Sequence, residues 1–322
     1  MRILVTGGAG YIGSHVSWLL AQRGHEPIVF DNLSTGHADS VHASLVPGDL
    51  REVAEVDAAF AQYAPEAVMH FAALSIVAES VTDPRQYFHN NLVGALNLLD
   101  AMQEHGVRWI VFSSTAATYG VPRQVPIPEE HPQLPVNPYG DSKLAIERML
   151  QAYDAAYGLC HATLRYFNAA GAAPEQGLGE RHDPESHLIP LLLQVASGRL
   201  PEARIFGRDY ETHDGTCVRD YIHVMDLAEA HLLALDRMID GDASLTLNLG
   251  TGRGHTVLEV LERARAVTGQ PIPATDHPRR EGDPPVLVAA ADRARQLLGW
   301  EPTCSDLDSI IRSAWEFHTA QV

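Results

Sequence analysis

Lysine is almost absent from this chain of 322 residues: among its 23 basic side chains only Lys143 is not arginine. Basic residues are themselves scarce beside 41 acidic ones. The formal net charge of −18 excludes a general nucleic-acid binder, which needs clustered cations against phosphates. Any anionic ligand therefore requires a local basic site. Cysteine is equally sparse. Cys160, Cys217 and Cys304 lie far apart and form no CxxC pair, so neither a disulfide framework nor a zinc motif is expected, and a reducing cytoplasm fits. Apolar runs of membrane-spanning length are missing, and the run after Met1 is too short for a secretory leader, so a soluble protein without membrane attachment is expected. The seventeen histidines are scattered and contain no HExxH pair, so no metal site is expected. With hydrophobic residues at 45% and charged residues at 20%, the chain must nevertheless bury a core.

What is present is an alternation. Short β-branched runs at Arg2–Thr6, Pro27–Asp31, Leu45–Pro47, Ala67–Phe71, Trp109–Ser113 and Ala162–Tyr166 are separated by longer helical patterns, which predicts βαβ units and a parallel sheet. Gly13–Arg23, Asn91–Glu104 and Ser142–Tyr157 carry apolar residues at helical spacing, and Gly24 suits a left-handed stop to the first. Val121–Pro138 holds six prolines and reads as an ordered loop. The expected fold is an α/β, Rossmann-type doubly wound parallel sheet with a smaller C-terminal α/β substrate domain. The boundary is expected at 1–168 and 169–322, with 220–249 as a candidate for packing back, because Leu245–Leu249 reads as a further parallel strand.

Gly7-Gly8-Ala9-Gly10-Tyr11-Ile12-Gly13 follows a predicted strand and opens a predicted helix, the setting in which a glycine fingerprint holds a dinucleotide pyrophosphate. Asp31 ends the second strand, where a carboxylate can accept hydrogen bonds from the adenosine ribose and would repel a 2′-phosphate, so NAD is favoured over NADP. A solvated loop carboxylate is the alternative. Asp49 has two readings, a contact to the adenine edge or an N-cap of the next helix. Lys143 lies four residues after Tyr139, on the same helical face. An ammonium there is expected to lower the phenol's pKa from about 10 and make Tyr139 a usable acid and base. A surface lysine beside a core tyrosine is the bland alternative. Ser113, Ser114 and Thr115 leave the carboxyl end of a strand, and Thr115 is the choice for sharing a substrate hydroxyl with Tyr139.

These residues resemble the extended short-chain dehydrogenase/reductase superfamily and, within it, the bacterial UDP-glucose (UDP-galactose) 4-epimerases. The likeness runs nearly end to end. It is carried by Val5–His15, His70-Phe71-Ala72-Ala73, Tyr139 with Lys143, Arg165-Tyr166-Phe167-Asn168, Val218–Val224 and Arg279-Arg280-Glu281-Gly282-Asp283. The resemblance implies tightly held NAD, reversible C4 epimerisation through a 4-keto sugar, and a homodimer formed by Asn91–Glu104 and Ser142–Tyr157. Catalysis would fall to Thr115, Tyr139 and Lys143. Cofactor contacts would come from Gly7, Gly10, Tyr11, Ile12, Gly13, Asp31, Asn32, Asp49, Leu50, Phe71, Ala72, Ala73, Asn90, Ser113, Tyr139, Lys143 and Tyr166. The UDP-sugar would meet Thr115, Tyr139, Asn168, His187, Leu188, Phe206, Arg219, Arg280, Asp283 and Leu287. For Arg219 and Arg280 a structural ion pair is the competing reading.

Three positions depart from the pattern. Ser75 replaces a common lysine, His187 stands where some members carry asparagine, and Leu287 replaces an aromatic residue that narrows the sugar pocket, which implies tolerance for N-acetylated UDP-hexoses. A 4,6-dehydratase or decarboxylase is the enzyme rival, and dehydratases of this type carry Asp-Glu where this chain has Ala116-Ala117. A catalytically inactive NAD-binding sensor is the rival from another class, disfavoured because tyrosine, lysine and hydroxyl are all retained.

Overall fold

The computed structural model describes residues 1–241, 243–280 and 283–320; Glu281 and Gly282 of the arginine-rich motif lie outside the described residues. The first half contributes β1 (Arg2–Thr6), α1 (Tyr11–Gln22), β2 (Glu26–Asp31), β3 (Ser44–Pro47), α2 (Val53–Tyr63), β4 (Ala67–His70), α3 (Val77–Thr82), α4 (Pro84–Phe88), α5 (Gly94–Glu104), β5 (Trp109–Thr115), α6 (Pro138–Tyr157) and β6 (Cys160–Tyr166). The second half contributes β7 (Asn168–Ala170), α7 (Leu188–Ala196), β8 (Ala203–Phe206), β9 (Val218–Arg219), β10 (Tyr221–His223), α8 (Val224–Gly241), β11 (Leu245–Leu249), β12 (His255–Thr256), α9 (Val257–Thr268), β13 (Ala274–His277), β14 (Val286–Leu287), α10 (Asp292–Leu298) and α11 (Leu307–Ala320).

Seven strands form one parallel sheet in the order β11-β6-β5-β4-β1-β2-β3. This is the expected doubly wound Rossmann-type arrangement, and Leu245–Leu249 joins its edge beside β6 as anticipated. Alternate residues of β1 explain the two covered faces: Ile3 and Val5 pack with Val16 and Leu20 of α1 and Leu227 and Leu235 of α8, whereas Leu4 packs with Phe60, Leu98 and Ile146 from α2, α5 and α6. The order reverses at β1, which has β2 on one side and β4 on the other. That leaves a crevice beyond the strands' carboxyl ends, where ligands gather in such sheets. A third apolar cluster joins Ile189 and Leu192 of α7, Val260 and Leu261 of α9, and Ile310 and Ile311 of α11 around Ile205 and Tyr221.

Two boundaries differ from expectation in ways that matter for the site. β5 continues past Ser113 to Thr115, because Ser114 and Thr115 pair with Arg165 and Tyr166 of β6. The helix expected over Asn91–Glu104 starts as a π-helical turn at His89–Val93 before α5, which shifts the face on which its asparagines lie. No helix among the described residues is long and apolar enough to cross a membrane.

Candidate active site

The glycine turn sits between β1 and α1. Gly7 has φ of +71°, and a Cβ on Gly13 would lie 2.2 Å from the Gly7 carbonyl oxygen, so turn and helix can meet only without side chains here. Gly10 occupies the N-cap of α1 and offers no side-chain hydrogen bond, so no side chain of the cap competes for the first N–H groups of the helix, the groups that can receive an anion at a helix N-terminus. Asp31 is buried at the end of β2. Its Oδ2 accepts from the Ala9 amide at 3.0 Å and its Oδ1 from the Leu33 amide at 2.8 Å. The solvated-carboxylate alternative is therefore not what the structure shows: Asp31 braces the glycine turn, and two amides leave its oxygens with lone pairs to spare.

Asp49 is not an N-cap. Glu52 holds that position for α2, while Asp49 pairs with Arg51 and accepts from Asn32 Nδ2 at 3.0 Å; the Arg51 guanidinium holds its carboxyl well below the usual range. Leu50 is buried against Gly94, and Phe71 and Ala72 both donate their amides to Thr6 O, which sets Ala72 directly against the glycine turn: a Cβ on Gly7 would lie 2.4 Å from the Ala72 nitrogen. Asn90 donates to Asn91 Oδ1 at 3.1 Å. Asn91, which sequence reasoning passed over, is the buried member, clasping both backbone groups of Leu74 and bonding Ser142 Oγ at 3.0 Å.

Thr115, Tyr139 and Lys143 come together at the carboxyl end of β5. Asn137 caps α6 by accepting from the Gly140 amide at 2.9 Å, and Pro138 follows as its first residue, so Tyr139 is fixed in the opening turn and Lys143 one turn later. Gly140 allows the close approach: a Cβ there would lie 2.7 Å from Ala117 O in the turn after Thr115. The Thr115 hydroxyl lies close enough to the Tyr139 phenol to favour its ionised form, and accepts from the Ala117 amide at 3.1 Å. Ser113 Oγ bonds the Tyr166 hydroxyl.

One expectation is corrected. The Lys143 ammonium does not set the phenol's pKa in the protein alone: Nζ donates to Ser113 O at 2.9 Å, and Lys143 is buried. Burial pushes the Tyr139 phenol above its ordinary value, opposed by the Thr115 hydroxyl, and brings Lys143 down to about 7. Beneath the pair, Arg165 of β6 makes a two-pronged ion pair with Glu147 of α6, at 2.9 and 2.6 Å, and Ser114 Oγ donates to the same carboxylate. Both partners are buried. Sequence reasoning quoted Arg165 only within a motif and gave Glu147 no role, since nothing local in the sequence pairs residues eighteen apart.

The second half supplies the remaining residues. Asn168 lies opposite Tyr221 in the β7–β10 pair, and Leu287 opposite Arg219 in β14–β9. Leu287 packs with Phe167, Ala116 and Tyr119, beside the Thr115 turn. Arg219 forms an ion pair with Asp283, another of the residues expected at the UDP-sugar. Arg280 is exposed and stacks its guanidinium over Phe206 at 4.2 Å. His187 is the N-cap residue of α7, directly before Leu188. The histidines are not all scattered: His182 and His187 converge with Glu180 and Glu185, their ligand atoms within 4.8 Å of one another.

A nucleotide-binding crevice in a doubly wound sheet, with a hydroxyl, phenol and lysine at the carboxyl end of β5, defines an NAD-dependent enzyme acting on an alcohol or ketone. Residues 3–250 match the NAD dependent epimerase/dehydratase family, and the chain belongs to it. It is 52% identical to the UDP-glucose 4-epimerase of Lacticaseibacillus casei over 320 residues, 99% of this chain and 97% of the relative. The UDP-glucose 4-epimerase from Brucella ovis in complex with NAD superposes with a TM-score of 0.95 at 49% identity, covering 98% of this chain and 97% of that one. The Stenotrophomonas maltophila enzyme with bound NAD and formylated UDP-arabinopyranose gives 0.96 at 44% identity, covering 100% and 98%.

Proposed function

We propose that this protein is a cytoplasmic enzyme that interconverts UDP-glucose and UDP-galactose by inverting C4. The observation that carries the reading is the placement of Thr115, Tyr139 and Lys143 together: the Thr115 hydroxyl acts on the Tyr139 phenol in the opening turn of α6, and Lys143, one turn later, reaches Ser113 O of the same strand as Thr115. Residues 1–168, with 220–249 packed back on them, hold NAD through the glycine turn, Asp31 and the backbone at Ala72 and Ala73. Residues 169–322 hold the UDP-sugar. When bound, NAD supplies reversible hydride acceptance at the sugar carbon and a cationic ring that favours the phenolate. Tyr139 takes the C4 hydroxyl proton as the 4-keto sugar forms and returns it to the same oxygen when the turned sugar is reduced on its other face, while Thr115 steadies that oxygen. Arg219 and Arg280 face the diphosphate, with Asn168 and His187 beside them, and Phe206 faces the uracil. Binding strength concentrated in UDP leaves the hexose free to turn between its two faces.

The test is incubation of purified protein, without added cofactor, with UDP-galactose and in parallel with UDP-N-acetylgalactosamine. UDP-glucose should appear in the first reaction. In the second, Leu287 beside Phe167 should allow slower turnover, and Leu287→Tyr should suppress the acetylated reaction selectively. No product from UDP-galactose would remove the functional reading, and equal loss of both activities in the variant would remove the role of Leu287.

The same protein should be a homodimer through α5 and α6. Leu96 and Tyr157 on these helices are 42% and 61% exposed, which supports a covered apolar face there. Light scattering on the eluting peak should return twice the chain mass, and Leu96→Glu should return one chain mass.

A further inference from the structure

The segment Glu180-Arg181-His182-Asp183-Pro184-Glu185-Ser186-His187 repeats a carboxylate and an imidazole at a spacing of five, between β7 and α7. We infer that Glu180, His182, Glu185 and His187 form a binding site for one divalent transition-metal ion of the zinc type. Glu180 Oε1 lies 3.0 Å from His182 Nδ1 and 2.5 Å from His187 Nδ1. Glu185 Oε1 lies 3.9 and 3.5 Å from the same two nitrogens. These separations straddle the spacing of roughly 3.3 Å between ligand atoms around a tetrahedral ion with bonds of about 2.0–2.1 Å.

The alternative, a set of imidazolium–carboxylate ion pairs, accounts for the short contacts but leaves two buried atoms without an aligned hydrogen bond. Glu180 Oε1 and His182 Nδ1 are both buried, and neither has an aligned hydrogen-bond partner among the described residues despite their short separation. The Glu180 side chain is only 5% exposed, so a carboxylate oxygen is held out of water with no aligned donor. The nearest cation by sequence, Arg181, is turned away to Asp39 and Ser40. Glu185 does accept from the Ser186 and His187 amides, which fixes its Oε1 toward the cluster. The His182 and His187 side chains are 29% and 50% exposed, leaving a route for an ion to enter. Two imidazoles with two carboxylates suit zinc, cobalt or a similar ion better than calcium or magnesium, which take oxygen ligands.

The placement gives the ion a structural role. His37 Nε2 bonds Arg181 O at 2.9 Å, Arg181 pairs with Asp39, and the His182 ring meets the Tyr11 ring edge-on at 6.3 Å, so this segment already bridges the glycine-turn side and the second half. An ion at its centre would lock that bridge and the start of α7. The inference does not depend on which sugar the crevice accepts.

Untagged protein should be dialysed with zinc chloride, passed through metal-free buffer and assayed by mass spectrometry for metals. One zinc per chain is expected, with a higher thermal midpoint than the chelator-treated protein. Cobalt loading should give the intense visible bands of a tetrahedral ion, which cobalt on surface histidines does not show. The Glu180→Gln, His182→Asn double variant should lose both signals while keeping its far-ultraviolet circular dichroism. Trace metal and no tetrahedral cobalt bands in the unaltered protein would overturn the site, independently of how the variant folds. Zinc retained in full by a folded variant would overturn it as well.

Discussion

Tyr139→Phe should lower kcat about 1,000-fold, within the range of about 10²–10⁴ for loss of a general acid and base, while the NAD content of the purified protein and KM for UDP-galactose stay close to the original. Tyr139 is the titratable group beside Thr115, and phenylalanine keeps its packing while removing the oxygen. Burial raises the phenol, so on the acid limb of the pH profile the group is protonated and cannot accept a proton. Wild-type kcat should therefore rise with pH over that limb, and the residual activity of the variant should lose that dependence. Steady-state assays across pH with a bound-NAD measurement check both statements. A variant with undiminished kcat would remove Tyr139 from the chemistry.

Glu147→Ala should destabilise the protein by about 3–5 kcal/mol, because it leaves the Arg165 guanidinium buried without its counter-charge. The carboxylate accepts from Arg165, Ser114 and Gln133 together, so its removal strands several donors at once. Arg165 retains the Tyr119 hydroxyl at 2.9 Å and Glu129 O at 3.0 Å, neither of which carries a full negative charge. The double change Glu147→Leu with Arg165→Met should cost much less, since an apolar pair of similar volume pays no desolvation penalty. Urea unfolding midpoints of the two variants separate a broken buried pair from simple loss of packing, and equal losses would refute the account. Because Ser114 precedes Thr115, the single variant should also lower kcat.

The β1–β6 rhythm was legible because each strand is a short apolar run bounded by turn residues, and burial on both faces of a parallel sheet demands that pattern. The pairing of Tyr139 with Lys143 was legible because four residues on a helix is a local geometry. Lys143 choosing Ser113 O over the phenol was not, because it depends on where β5 ends relative to α6. The role of Asp31 was half legible: its place after β2 followed from spacing, but its grip on the Ala9 amide requires the glycine turn to fold against that strand. Asn91 was missed beside Asn90 because a π-helical turn rotates which asparagine faces inward.

By itself the sequence determined the doubly wound fold, the nucleotide turn and the helix that carries the phenol, since each follows from periodicity and chain stereochemistry within a few residues. Only the tertiary structure decided that Arg165 meets Glu147, that Arg219 meets Asp283 while Arg280 stacks on Phe206, and that two histidines converge on two carboxylates. Such partnerships between charged groups depend on burial and on distances across the fold, which spacing along the chain does not specify.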